Sequence, residues 1–124
     1  MSGKVGDNVY RASGVIAAAA AGGGVSWQAV ETGATFTAVA GNGYPVNTTA
    51  QACTATLPAG SAGDEVSFID YARTFDTNAL TVTPDSGEKI QGQSADTTLT
   101  SAVERSAFTL VYSGAAQGWL LKDK

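Results

Sequence analysis

Glu65-Val66-Ser67-Phe68-Ile69 alternates polar and apolar side chains, and Thr35-Phe36-Thr37-Ala38-Val39 and Ala79-Leu80-Thr81-Val82-Thr83 repeat the pattern. A period of two sends every second side chain to the same face, so each segment reads as a strand with one buried and one outward surface. Outward from these three, Tyr44–Thr48, Gln51–Leu57, Thr97–Ser101, Ala107–Ser113 and Gly118–Lys122 complete a set of eight short candidate strands. The residues between them are turn formers. Gly41-Asn42-Gly43 suits a tight hairpin, Pro58 to Asp64 a loop, and Pro84-Asp85-Ser86-Gly87 a proline-first turn. Strands recurring about every ten residues, with no amphipathic helix between them, predict an all-β domain: an antiparallel β-sandwich, jelly roll or small barrel.

Residues 1 to 25 have a different character. Ala17 to Ala21 run into Gly22-Gly23-Gly24, and apart from Met1 and the terminal Val25 the bulky apolar side chains are few and scattered: Val5, Val9, Tyr10, Val15 and Ile16. Five alanines favour helix, but three glycines end it, and the run is far shorter than the ~12–15 residues of a marginally stable isolated helix. This stretch is expected to be an extended Ala/Gly-rich arm or linker, ordered against a partner through those five residues. Residues 26 to 124 then form the β-sandwich domain. Lys4, Arg11 and the small apolar stretch loosely imitate a secretory signal, but Asp7 and the early glycines interrupt it.

Composition narrows function. Ala, Gly, Thr and Ser make up 62 of the 124 residues, whereas Leu, Ile, Val and Phe number 24, so the core is lean for a chain of this size. A net charge of −4 is too small for wholesale disorder. A lean core beside an arm that cannot fold alone points to a homo-oligomer or a docked protein. The chain has no histidine, which excludes Ser-His-Asp and Cys-His catalysis and imidazole-based zinc sites. The single Cys53 cannot form an intramolecular disulfide and reads as a small buried apolar residue. Seven scattered basic residues give no stripe for phosphates, so nucleic acid is not an expected partner, and no apolar run is long enough to span a membrane.

The motif fragments that remain are weak. Ser86-Gly87-Glu88-Lys89 spells S-x-x-K but follows Pro84 in a turn, without the companion motifs. Asp64, Glu65, Asp70, Asp76, Asp85 and Glu88 lie at strand ends or in loops, where solvated acids are ordinary, and no calcium-loop pattern is present. No catalytic residue, cofactor or metal is therefore expected. The best binding candidates are the aromatics Trp27, Tyr44, Tyr71 and Trp119, near strand ends, as interface residues or as rings able to stack on a glycan.

Taken in order, Gly41-Asn42-Gly43-Tyr44-Pro45-Val46-Asn47-Thr48-Thr49, Ala62-Gly63-Asp64-Glu65-Val66-Ser67-Phe68-Ile69-Asp70-Tyr71-Ala72-Arg73-Thr74-Phe75, Asn78 to Pro84, Lys89 to Gly92, Thr109 to Tyr112 and Gly118 to Leu121 resemble a β-rich module of tailed-bacteriophage virion proteins. The similarity covers roughly residues 34 to 122. It implies a β-sandwich or jelly roll of the kind that ends tail-fibre and head-decoration proteins, commonly trimeric and without catalytic residues. At the shared positions, Gly63-Asp64 would turn the chain into a strand, Asp70 would pair with Arg73, and Trp119 would close the core or seal an interface. A single short module without a shaft fits a capsid decoration or cement protein, a trimer docked through its arm on the major capsid protein or another virion protein at the outer capsid surface. A short tail fibre or tail-tip adhesin, or a free carbohydrate-binding module, are the alternatives.

Overall fold

The computed structural model describes residues 24–123, and all regular structure among them is β. In chain order the strands are β1 (Ser26–Trp27), β2 (Thr35–Thr37), β3 (Asn42–Val46), β4 (Cys53–Thr56), β5 (Glu65–Asp70), β6 (Leu80–Thr83), β7 (Leu99–Ser101), β8 (Ala107–Tyr112) and β9 (Trp119–Asp123). They form two sheets, one ordered β9-β8-β5-β3-β1 and the other β2-β4-β6-β7. The all-β, two-sheet expectation holds, and each of the eight candidate segments overlaps a strand, with β1 the one strand outside them among the described residues.

The pairing is not the antiparallel one expected. From β1 to β6 the chain changes sheet at every step, so β1, β3 and β5 lie side by side in one sheet and β2, β4 and β6 in the other. Four pairings, β1–β3, β3–β5, β2–β4 and β4–β6, are parallel; only β6–β7, β5–β8 and β8–β9 are antiparallel. Side-chain alternation is the same in both arrangements, so the pattern gave the strands without their direction. Gly41-Asn42-Gly43 is likewise no hairpin. Gly41, at φ 87°, turns the chain out of one sheet, and Asn42 and Gly43 already belong to β3 in the other.

The inward faces meet in one core. Tyr44, Val46, Val66, Phe68, Phe108, Leu110, Tyr112 and Trp119 come from the five-stranded sheet, and Cys53, Ala55, Leu80 and Val82 from the other. Phe36, Tyr44, Phe68 and Phe108 make a continuous run of rings with successive centroids 4.9, 6.1 and 5.5 Å apart. Cys53 is buried as expected; burial, with a smaller contribution from Glu31, pushes its thiol up to about 11, far from a reactive thiolate.

The outward face of the four-stranded sheet is uniform. Thr35, Thr54, Thr81 and Thr100 stand in register across all four strands, and Thr37, Thr56 and Thr83 form a second rank. Each strand thus spends its large residues inward and its threonines outward, which is how a chain half made of small residues builds two layers.

The hairpin from β8 to β9 depends on Gly118. Its φ is 74°, and a Cβ there would lie 2.0 Å from the Lys89 carbonyl oxygen, the same oxygen that accepts the Trp119 N–H at 2.9 Å. Gly41 also has positive φ but has nothing within 4 Å of a Cβ. Gly41→Ala is expected to cost about 1 kcal/mol from backbone strain alone, and Gly118→Ala about 3 kcal/mol or more. Urea unfolding of the two variants checks this, with the larger drop in midpoint expected for Gly118→Ala.

Candidate docking surfaces

The strongest polar constellation is at the end of β5. The Asp70 carboxylate is fully buried and forms no salt bridge among the described residues; it accepts the Thr74 N–H at 3.1 Å, the Phe75 N–H at 3.1 Å and the Arg105 N–H at 2.9 Å. Burial alone pushes this carboxyl up. The backbone N–H groups of Phe75, Arg105, Thr74 and Ala72 outweigh burial and hold it below the ordinary aspartate value. The expected pairing with Arg73 does not form: Arg73 bonds Glu104 at 3.0 Å in an exposed pair, because its positive φ of 62° turns the loop so that backbone N–H groups surround Asp70. Arg105 completes the corner by donating from its guanidinium to the Tyr71 carbonyl at 3.1 Å.

Three of the other candidate acids have structural partners. Asp64 accepts the Ser61 N–H at 2.9 Å, Glu88 accepts the Gly60 N–H at 3.1 Å, and Glu65 lies 3.6 Å from the Lys122 ammonium. Gly63, at φ 93°, and Asp64 turn the chain into β5 as the sequence implied. No group of three or more His, Cys, Asp or Glu side chains among the described residues is placed to hold a metal ion.

The four candidate aromatics divide into two kinds. Tyr44 and Trp119 are core residues rather than contact rings, because both fall on the inward beat of their strands. Tyr44 keeps its hydroxyl at the rim, where it accepts the Val39 N–H at 2.8 Å. Trp119 packs edge-on against Tyr112 at 5.2 Å, and its Nε1 has no hydrogen-bond partner among the described residues. Trp27 and Tyr71 are about half exposed, at 54% and 51%. Trp27 lies over Gly43 on the neighbouring strand. A Cβ at Gly43 would come within 2.7 Å of both the indole ring and Val25, so the missing side chain is what lets ring and backbone meet. This outward face of the five-stranded sheet also exposes Ile69 and Leu120, unlike the threonine face opposite. The arm residues Val5, Val9, Tyr10, Val15 and Ile16 lie outside the described residues.

Comparison with known families gives one result that covers nearly the whole chain: residues 2–119 match the family described as bacteriophage T4 gp9/10-like protein, N-terminal. The chain belongs to this T4 gp9/10-like family. It is accordingly a structural protein of the tailed-phage virion, built to contact other virion proteins. No curated protein matches the chain closely enough to count as a relative. The family match takes in the residues before β1 as well as β1 to β8.

Because the folded value of Asp70 is depressed, its carboxylate contributes stability that is present above the unfolded value of about 3.9 and lost as pH falls through the folded one. Asp70→Asn places an amide N–H₂ against backbone donors and is expected to cost about 2–3 kcal/mol at neutral pH. Its unfolding free energy should also depend less on pH than the wild type's in the acid range below about pH 4. Urea melts across pH measure both, and equal midpoints at neutral pH would mean that the carboxylate does not hold the corner.

Proposed function

We propose that this T4 gp9/10-like chain is a non-catalytic assembly module of the virion that docks on another virion protein through residues 1 to 25 and displays the sandwich as its body. The observation that supports this is the continuity of the family match from residue 2 to residue 119, across both the proposed arm and the strands that follow it. The finer reading is a head-decoration or cement protein on the capsid surface, assembled as a trimer with its arms toward the shell. Small residues in the arm allow close backbone approach to a partner, and a compact two-sheet body suits a low surface ornament.

A tail position is the second reading, and one observation favours it. The matching family is described as an N-terminal module, so the shortness of this chain no longer argues against a longer tail protein. Exposed Trp27 and Tyr71 would then be available for partner or glycan contact.

Epitope-tagged full-length chain and a variant lacking residues 1 to 25 can be supplied during infection, and purified particles labelled with immunogold. The expected result is label on the capsid surface for the full chain and none for the deletion variant, whose retained β-type circular dichroism spectrum would show a folded body. Label on the tail moves the chain to the second reading; incorporation of the deletion variant overturns docking through the arm.

A further inference from the structure

The two sheets are not closed equally at their edges. At the β9 edge the segment around Ile90 pairs alongside: Gln91 donates its N–H to the Trp119 carbonyl at 2.7 Å, Trp119 donates to Lys89, and the Gln91 side-chain oxygen accepts the Leu121 N–H at 2.9 Å. β7, the edge of the other sheet on the same side, bonds only β6 among the described residues, so the outward backbone groups of Leu99–Ser101 are unpaired there. Between β7 and the β8–β9 hairpin is an open groove of about 210 Å³, walled chiefly by Leu99, Val103, Phe108 and Leu121. Val103 on its lip is 67% exposed. The edge carries no lysine, proline or bulge of the kind that blocks strand addition.

An unpaired strand edge beside an apolar groove fits an extended segment that adds backbone hydrogen bonds and sends alternate side chains into the groove. The arm has one adjacent pair of β-branched aliphatics, Val15-Ile16, in a setting otherwise of small residues. We infer that the groove beside β7 receives the Val15–Ile16 segment of a second copy of this chain, as an added edge strand with Ile16 in the groove. The inference rests on the proposed role of the arm as a docking element and names a further partner for it.

Position favours a second copy over the chain's own arm. The arm joins the body at β1, the edge of the five-stranded sheet opposite β9. To reach its own groove it would cross four strand spacings, about 19 Å, over a sheet face that offers its backbone no partners. Edge-to-edge approach of two copies instead brings the β1 side of one to the β7 side of the next. The eight residues between Ile16 and Val25, nine Cα steps, can extend about 30 Å, enough to bridge the two bodies. Such a contact is heterologous, joining different surfaces of identical chains, and closes into a ring or propagates according to the rotation between copies.

The test uses full-length chains carrying Ile16→Cys or Val103→Cys, with buried Cys53 as a silent background. The two are mixed and oxidised with diamide. The expected product is a mixed disulfide dimer, at least about tenfold more abundant than with Val39→Cys, an exposed position beyond β2, in place of Val103→Cys. A yield equal to that control overturns the inference. So does an intramolecular link in the double variant at high dilution, which would assign the groove to the chain's own arm. Light scattering gives an independent check: Val103→Asp should reduce the oligomer's mass with its circular dichroism unchanged, and an unaltered mass, or a wild type that is monomeric throughout, also overturns it. If arm deletion abolishes particle incorporation while no mixed disulfide forms, arm docking on another virion protein stands and only the pairing between copies fails.

Discussion

A buried carboxylate with no salt-bridge partner among the described residues ties the two halves of this fold together through backbone hydrogen bonds. β5 is the central strand of its sheet, parallel to β3 on one side and antiparallel to β8 on the other, and Asp70 is its last residue. A charge removed from water is costly unless hydrogen bonds replace its hydration. Backbone N–H groups from the turn after β5 and from the turn before β8 supply that replacement, so the wound parallel half and the antiparallel half are fixed to the same two oxygens. The second turn also forms a wall of the groove beside β7, through Val103 and Ser106. The Arg105 N–H bond to Asp70 thus anchors that wall to the end of β5.

The scarcity of large apolar residues is met by winding. Because the chain changes sheet at each step from β1 to β6, equivalent positions of successive strands stack in register, and a residue type useful at one level is useful at the next. Phe36, Ala55 and Val82 form one inward row, with Thr35, Thr54 and Thr81 outward beside it. Each strand needs only one or two large side chains, because the row above and the row below cover their flanks. Gly43 belongs to the same logic on the other sheet, where the absent side chain makes room for Trp27 to cover the backbone.

These rows explain which features could be read from the sequence. Strand positions and inward faces were legible, since a period of two is a local property of Glu65–Ile69 or Ala79–Thr83. Strand direction was not, because it depends on where the chain goes after each strand. Gly41-Asn42-Gly43 permits a hairpin and a sheet-crossing turn equally well. The partner of Asp70 was misjudged for a related reason. Arg73 is a near neighbour of opposite charge, whereas backbone donors carry no mark in a sequence; the positive φ at Arg73 and Arg105, which brings those donors inward, is likewise invisible at residues other than glycine. Among the aromatics, Tyr44 and Trp119 fall on the inward beat of their strands and Trp27 on the outward one, but only the register of the finished sheets separates them.

The two outward faces and the edges then set how such a body can assemble. The threonine face offers short hydroxyl side chains and no charge within its ranks, a surface that stays hydrated in a monomer yet costs little to cover. The opposite face exposes Trp27, Ile69 and Leu120, and its edge at β9 is sealed by the chain itself. What is left is asymmetric among the described residues: the chain enters at β1 on one side, and on the other β7 leaves its outer backbone edge open beside an apolar groove. An extended segment of a second copy, the occupant inferred above, would satisfy that edge directly. Two-fold symmetry could place it there only by reciprocal exchange, each copy's segment reaching the other's groove, and the entry point and the groove lie at opposite edges of the body. Under the inferred pairing, contact between unlike sides is therefore the shorter route, and such contacts build rings or layers.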